Sequence, residues 1–178
     1  MNIVLTGYMG SGKTAVGTYL AEKQGLTFLD SDSMIEQQCG MSISEIFAAS
    51  GEEYFRSVEA EVIERISEYD GAVISTGGGV VLNTQNIAEL RKNGVIVNLE
   101  PEEDVILTRL GADDGTRPLI KDSSMTEILE RFNARKPYYD NCDIKIKVTK
   151  DKGIAEVAEE ILRSLEEKYE GEFRSSGK

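Results

Sequence analysis

A chain of 178 residues, 40% of them hydrophobic, is long enough for one domain with a sizeable core. Its net charge of −12 argues against a general nucleic-acid binder, which would present a basic face, and no apolar run approaches the roughly 18 residues of a membrane span. Histidine is absent, which removes Ser-His and Cys-His catalysis, histidine metal ligands and histidine bases, so a carboxylate is the expected proton acceptor. Cys39 and Cys142 lie far apart without C-x-x-C spacing and read as buried or incidental thiols, not as a disulfide framework or zinc site.

The chain opens on an apolar, β-branched run, Ile3-Val4-Leu5-Thr6, which enters Gly7-Tyr8-Met9-Gly10-Ser11-Gly12-Lys13-Thr14. This is the phosphate-binding pattern G-x-x-x-x-G-K-[ST] between a strand and a helix. Glycines let backbone N–H groups converge on an anion, and the following helix adds the positive end of its dipole. Lys13 can reach β- and γ-phosphates, and the Thr14 hydroxyl can hold Mg²⁺. Residues 10–15 also fit the dinucleotide fingerprint G-x-G-x-x-A, with Asp30 and Asp32 near the distance of a ribose-binding acid. The Lys-Thr pair with Gly7 at full loop spacing favours the triphosphate reading, since a dinucleotide turn needs neither.

Strands are expected at roughly residues 2–6, 26–30, 72–75, 94–98 and 143–148, alternating with helical segments. Such alternation implies an α/β fold, a parallel sheet with helices on both faces. The first helix, residues 13–24, should end at Gly25. The second strand ends at Asp30-Ser31-Asp32, where open α/β sheets collect ligands; the plainer reading is that one aspartate caps the next helix. Residues 33–39 and 42–50 read as short helices broken at Gly40, the second opened by the capping box Ser42-Ile43-Ser44-Glu45. A longer helix, about residues 52–69, carries the stripe Phe55, Val58, Val62, Ile66 and Tyr69, with Arg56 and Glu59 three apart on its flank. That pair is either a surface ion pair or part of a site.

The third strand runs into Thr76-Gly77-Gly78-Gly79, and three glycines in a row suit a main chain that passes very close to something. A helix at residues 84–92 has Thr84 as its possible cap. Pro101 should open the helix that carries Arg109. Residues 111–120 are polar and glycine-spaced, as in a functional lid or a disordered loop, and Arg117 within them is either a phosphate-stabilising residue or a solvated loop arginine. A second capping box, Ser124-Met125-Thr126-Glu127, starts a helix with Leu129, Phe132, Arg135 and Pro137; Arg135 either snorkels or faces an anion. Ile144, Ile146 and Val148 alternate with lysines, the pattern of an edge strand, and a final helix covers about residues 152–168.

Taken together, six ordered segments resemble the shikimate kinase family over nearly the whole chain. They are the loop at residues 7–14, Asp30-Ser31-Asp32, the run from Ser42 through Glu59, Ser75-Thr76-Gly77-Gly78-Gly79-Val80, Arg117-Pro118-Leu119 and Arg135-Lys136-Pro137-Tyr138-Tyr139. The resemblance implies a three-layer α/β/α P-loop fold with a five-stranded parallel sheet in the order 2-3-1-4-5. It also implies one kinase domain over residues 1–170, with a substrate segment at about residues 31–60, a lid at about residues 110–124 and a flexible tail at residues 171–178. It implies a cytoplasmic, monomeric kinase that uses Mg²⁺ and ATP to make shikimate 3-phosphate.

In that reading Gly10, Ser11, Gly12, Lys13, Thr14, Ala15, Arg109 and Arg117 bind ATP. Thr14 holds Mg²⁺ directly and Asp30 through water. Asp32 takes the hydroxyl proton; Arg56 and Arg135 bind the substrate carboxylate; Gly77, Gly78, Gly79, Phe47 and Phe55 line the substrate site. Asp32, Lys13 and Arg117 form the catalytic set. One departure stands out: family members often place a proline near adenine after the last strand, and Thr149-Lys150-Asp151-Lys152 has none. Small P-loop kinases acting on gluconate or nucleoside monophosphates are the nearest alternative. A guanine-nucleotide switch would carry N-K-x-D and a D-x-x-G loop, and neither is found. Arg117→Ala is expected to cut turnover by about 10³–10⁵, the range for phosphate-stabilising arginines, and steady-state kinetics at saturating substrates would read it.

Overall fold

A computed structural model describes residues 1–111 and 124–169. Five parallel strands form one sheet in the order β2-β3-β1-β4-β5. They are β1 (Asn2–Thr6), β2 (Thr27–Asp30), β3 (Ala72–Ser75), β4 (Gly94–Pro101) and β5 (Ile144–Val148). The helices are α1 (Lys13–Gln24), α2 (Ser31–Cys39), α3 (Ile43–Ser67), α4 (Thr84–Arg91), α5 (Glu103–Gly111), α6 (Met125–Tyr139) and α7 (Ile154–Lys168), with a 3₁₀ turn at Val80–Leu82. None of the described helices is long and apolar enough to cross a membrane.

The strand sequences explain the layers. β1 and β3 are buried at every residue, as strands covered on both faces must be, and their residues split between two cores. Val4, Ile74 and Ile96 face α3, α4 and α6, whereas Ile3, Val73 and Val95 face α1 and α7. β5 alternates buried and exposed residues at the sheet edge, as its lysines require.

Element ends follow local chemistry. Gly25 adopts φ 66° at the α1 C-cap. Both capping boxes form, Ser42 with Glu45 and Ser124 with Glu127. Three expectations change in detail. The two helical stretches expected at residues 42–50 and 52–69 are present and meet within α3 at Gly51, whose φ of 79° and ψ of 176° break the helical backbone in a way only glycine tolerates well. Tyr69 lies past the α3 terminus and is exposed, so the stripe ends at Ile66. Asn83, not Thr84, caps α4, its side chain accepting from the Gln85 N–H at 3.0 Å. Pro101 closes β4 instead of opening α5; the Glu102 carbonyl accepts the first helical bonds, from Val105 and Ile106. α6 also runs through Pro137, which falls in its last turn.

α1 is locked to the sheet through Gly17, where an added Cβ would lie 2.7 Å from Phe28 Cε2 and 3.2 Å from Leu5 Cδ1. Alanine gains about 1 kcal/mol in helix propensity over glycine, but overpacking a filled core costs about 1–3 kcal/mol. Leu5 is fully buried and cannot yield, so overpacking wins. Gly17→Ala is expected to lower stability by about 1 kcal/mol in urea denaturation; a more stable variant would show that the helix lifts freely.

Candidate active site

The carboxyl ends of β1, β2 and β3 converge on one side of the sheet, and the loops leaving them build a cavity of about 500 Å³. Residues 9–16 line it together with Asp30, Asp32, Gly78, Arg109 and Lys152. Gly10 and Gly12 adopt φ 79° and 95°, which turns the loop so that α1 begins at Lys13. The Lys13 ammonium is largely buried and donates to the carbonyls of Gly7 (2.7 Å) and Tyr8 (3.1 Å) and to Ser11 Oγ (3.3 Å). Arg109 reaches across from α5 and donates to the Gly10 carbonyl at 2.8 Å.

The two aspartates after β2 have different jobs. Asp30 is the N-cap of α2, with Oδ1 accepting from the Ser33 N–H at 3.1 Å. Its Oδ2 accepts from Thr14 Oγ1 at 3.0 Å, and Thr14 Oγ1 also lies 3.4 Å from Ser75 Oγ. The capping reading therefore holds for Asp30 alongside its place beside Thr14. The Asp32 carboxylate accepts no hydrogen bond from the described residues. Burial, with Asp30 beside it, raises its pKa to about 6 against the pull of Lys13 and Arg56.

Behind Asp32 the glycine triplet leaves room for the protein's own charges. A Cβ on Gly77 would lie 2.5 Å from Asp32 Oδ1 and 3.4 Å from Glu59 Oε1. On Gly79 it would lie 2.4 Å from Arg56 Nη1, whereas on Gly78 it would make only ordinary contact with the P-loop backbone, 3.4 Å from Met9 N. None of the three has positive φ, so at Gly77 and Gly79 it is space and not backbone conformation that favours glycine.

Arg56 and Glu59 are not a surface pair. Glu59 is 1% exposed, and Arg56 Nη1 bonds both its oxygens at 3.0 Å. The other edge of the guanidinium, Nε and Nη2, bonds Glu52 Oε1 at 3.4 and 3.1 Å. Burial pushes the Glu59 pKa up while Arg56 pulls it down; the same burial disfavours the Arg56 cation, yet Glu59 and Glu52 hold its pKa above the ordinary value. The two 3.0 Å bonds identify an ionised pair. The guanidinium also sits 5.1 Å over the Phe55 ring, and Phe47 packs on Phe55 with centroids 4.7 Å apart. Arg135, half-buried on α6, lowers the pKa of Tyr8 and Tyr139 by its charge, against the larger opposing effect of their burial.

With this geometry in hand, comparison with known proteins is direct. The family model for shikimate kinase matches residues 9–166. The chain belongs to the shikimate kinase family. The shikimate kinase of Caldicellulosiruptor bescii is 51% identical over 146 residues, covering 82% of this chain and 84% of the relative. That of Caldanaerobacter subterraneus is 45% identical over 163 residues, covering 92% of this chain and 95% of the relative. The solved shikimate kinase of Acinetobacter baumannii, in complex with shikimate, superposes with a TM-score of 0.87 at 34% identity, covering 94% of each chain. The reaction of this chain is thus ATP-dependent phosphorylation of shikimate.

Of the residues expected for a shikimate kinase site, the structure brings residues 10–15, Asp30, Asp32, Gly78 and Arg109 around one cavity. Gly77, Gly79, Arg56, Arg135, Phe47 and Phe55 are not in its walls; Arg56 lies against Gly79 and over the Phe55 ring, which packs on Phe47. Arg117 and most of the expected lid lie outside the described residues, as does the tail. Three residues of the site escaped the sequence reading. Glu52 was visible only as a helix-terminal acid four before Arg56, and Ser31 only as a spacer between aspartates. Lys152 stands in the proline-free segment after β5, yet it lines the cavity with Gly153 and Ile154. Because Asp32 must be ionised to accept a proton, kcat/KM for shikimate should fall as pH drops below about 6, approaching tenfold per unit, whereas a profile flat to pH 5 would count against Asp32 as the base.

Proposed function

We propose that Mg·ATP lies along the P-loop and that shikimate lies beyond Asp32, between Arg56, the glycine triplet and Arg135. The observation that carries this reading is Asp32. It is a carboxylate at a strand's carboxyl end, without a hydrogen bond from the described residues, within the field of both Lys13 and Arg56. The complex of the Acinetobacter baumannii enzyme with shikimate supports the choice of acceptor.

The shikimate 3-hydroxyl oxygen attacks the γ-phosphorus in line. The bond from that phosphorus to the β,γ-bridging oxygen breaks, ADP leaves with the electron pair, and the hydroxyl proton passes to Asp32. Phosphoryl transfer needs positioning and charge stabilisation more than covalent help from the protein. Lys13 and the loop amides supply positive charge on the nucleotide side. Arg56 and Arg135 hold the acceptor by its carboxylate, and Phe47 and Phe55 wall the ring.

The donor set beside the loop fits Mg²⁺. Thr14 Oγ1, Asp30 Oδ2 and Ser75 Oγ are hard oxygens within hydrogen-bond reach of Thr14, and Mg²⁺ favours few protein ligands with retained waters. Thr14 would hold the ion directly and Asp30 through water. When bound it neutralises charge on the β- and γ-phosphates.

Arg56 meets the substrate with its fork already committed. Glu59 is buried and keeps Nη1, so an incoming carboxylate takes the Nε–Nη2 edge from the exposed Glu52. A coupled ADP-release assay should show turnover with shikimate; turnover with gluconate or a nucleoside monophosphate instead would overturn the assignment. In the same assay Arg56→Lys, which keeps the charge for Glu59 but loses the fork, should raise KM for shikimate about tenfold and spare that for ATP. Glu52→Gln should lower KM for shikimate about twofold, since exposed i,i+4 pairs are worth about 0.3–0.5 kcal/mol.

A further inference from the structure

Glycines 77–79 can offer a substrate only backbone, so their value depends on what fixes their peptide planes. Two hydroxyls from neighbouring elements do so. Ser31 Oγ, fully buried at the start of α2, accepts the Gly77 N–H at 2.9 Å. The Tyr139 hydroxyl, on the last turn of α6, donates to the Gly78 carbonyl at 2.5 Å. The N–H groups of Gly78 and Gly79 have no hydrogen-bond partner among the described residues. The clamp therefore leaves two main-chain donors uncommitted beside Asp32.

Each clamping hydroxyl sits next to a residue assigned to shikimate. Ser31 precedes Asp32, and Tyr139 follows Arg135 by one helical turn, its hydroxyl within the influence of both Arg135 and Arg56. Tyr139 is 4% exposed, and its ring packs edge-on against Tyr8 of the P-loop, with centroids 6.4 Å apart at 90°. One side chain thus touches the nucleotide loop, the glycine triplet and the helix of Arg135.

We propose that Tyr139 is a positioning residue for the acceptor: its hydroxyl ties the Gly78 peptide to the Arg135 turn and sets the separation between the carboxylate-binding end of the site and the end where the hydroxyl reacts. The proposal rests on the assignment of Arg135 to the substrate carboxylate made above. Shikimate is a rigid ring with its carboxylate on C1 and the reacting hydroxyl on C3. Both ends are served together only if the protein groups keep one spacing, and a misplacement of about 1 Å can cost about 10² in rate. A buried tyrosine that merely needed a partner would stabilise the fold without touching substrate kinetics.

Tyr139→Phe keeps the ring packing and removes the bond, leaving the Gly78 carbonyl unpaired. Steady-state kinetics should show KM for shikimate raised about tenfold, with KM for ATP unchanged. Unchanged KM for shikimate, or equal increases for both substrates, would overturn the proposal. Calorimetric titration with shikimate, well below the unfolding temperature, reads the same difference in a less stable variant. A double-mutant cycle with Arg135→Lys adds a second criterion: coupled residues give a double variant much less impaired than the product of the singles, and independent effects overturn the proposal. Arg135→Lys alone tests the underlying assignment, since an unchanged shikimate KM in that variant removes Arg135 from the carboxylate site whatever Tyr139→Phe does.

Discussion

Two carboxylates, Asp32 and Glu59, approach the space where a Gly77 side chain would lie, inside a protein of net charge −12, and holding them there constrains most of the site. Buried anions need nearby cations or they take up protons. Arg56 answers Glu59 with two bonds from one nitrogen, and Arg56 together with Lys13 acts on Asp32. A side chain at Gly79 would have to displace the Arg56 guanidinium, and one at Gly77 the Asp32 carboxylate. The glycine triplet is thus the mould of a charge cluster, and the long, kinked α3 is the element that brings Glu52, Arg56 and Glu59 to it on successive turns.

Parallel topology supplies the second constraint. Because all strands run the same way, the segments leaving β1, β2 and β3 emerge side by side, and residues 7–14, 30–32 and 76–79 meet although far apart in sequence. Thr76 ties this arrangement down by bonding the Leu5 carbonyl through both its N–H and its hydroxyl. α6 then closes the assembly from the opposite face with Phe132 and Tyr139 packed on Tyr8. A nucleotide loop built on one strand is in this way held against the groups that choose the acceptor.

Much of this was legible in the sequence because local chemistry forces it. The P-loop spacing, the two capping boxes, the buried runs of β1 and β3 and the alternation of β5 each have one structural solution. The boundary at Gly51 was readable as the gap between two helical stretches, and burial of Ile46, Phe55 and Val58 in one core holds the two together. Long-range geometry was not readable. Arg56 and Glu59 fit a surface pair equally well by periodicity, and only the approach of Gly77 and Gly79 makes them interior. Tyr139 looked like one of two adjacent tyrosines, and only α6 crossing to Gly78, 61 residues away in sequence, gives it a partner. The segment after β5 lines the cavity without a proline, through Lys152, Gly153 and Ile154.

A chain without histidine lacks the side chain that ordinarily exchanges protons near neutrality. In this protein burial brings the Asp32 carboxyl close to that range, to about 6. In the proposed mechanism the hydroxyl proton therefore enters a group that is mostly ionised at neutral pH, so the next acceptor meets a carboxylate again. The cleft where phosphate moves is also where this enzyme keeps its neutral-range buffering.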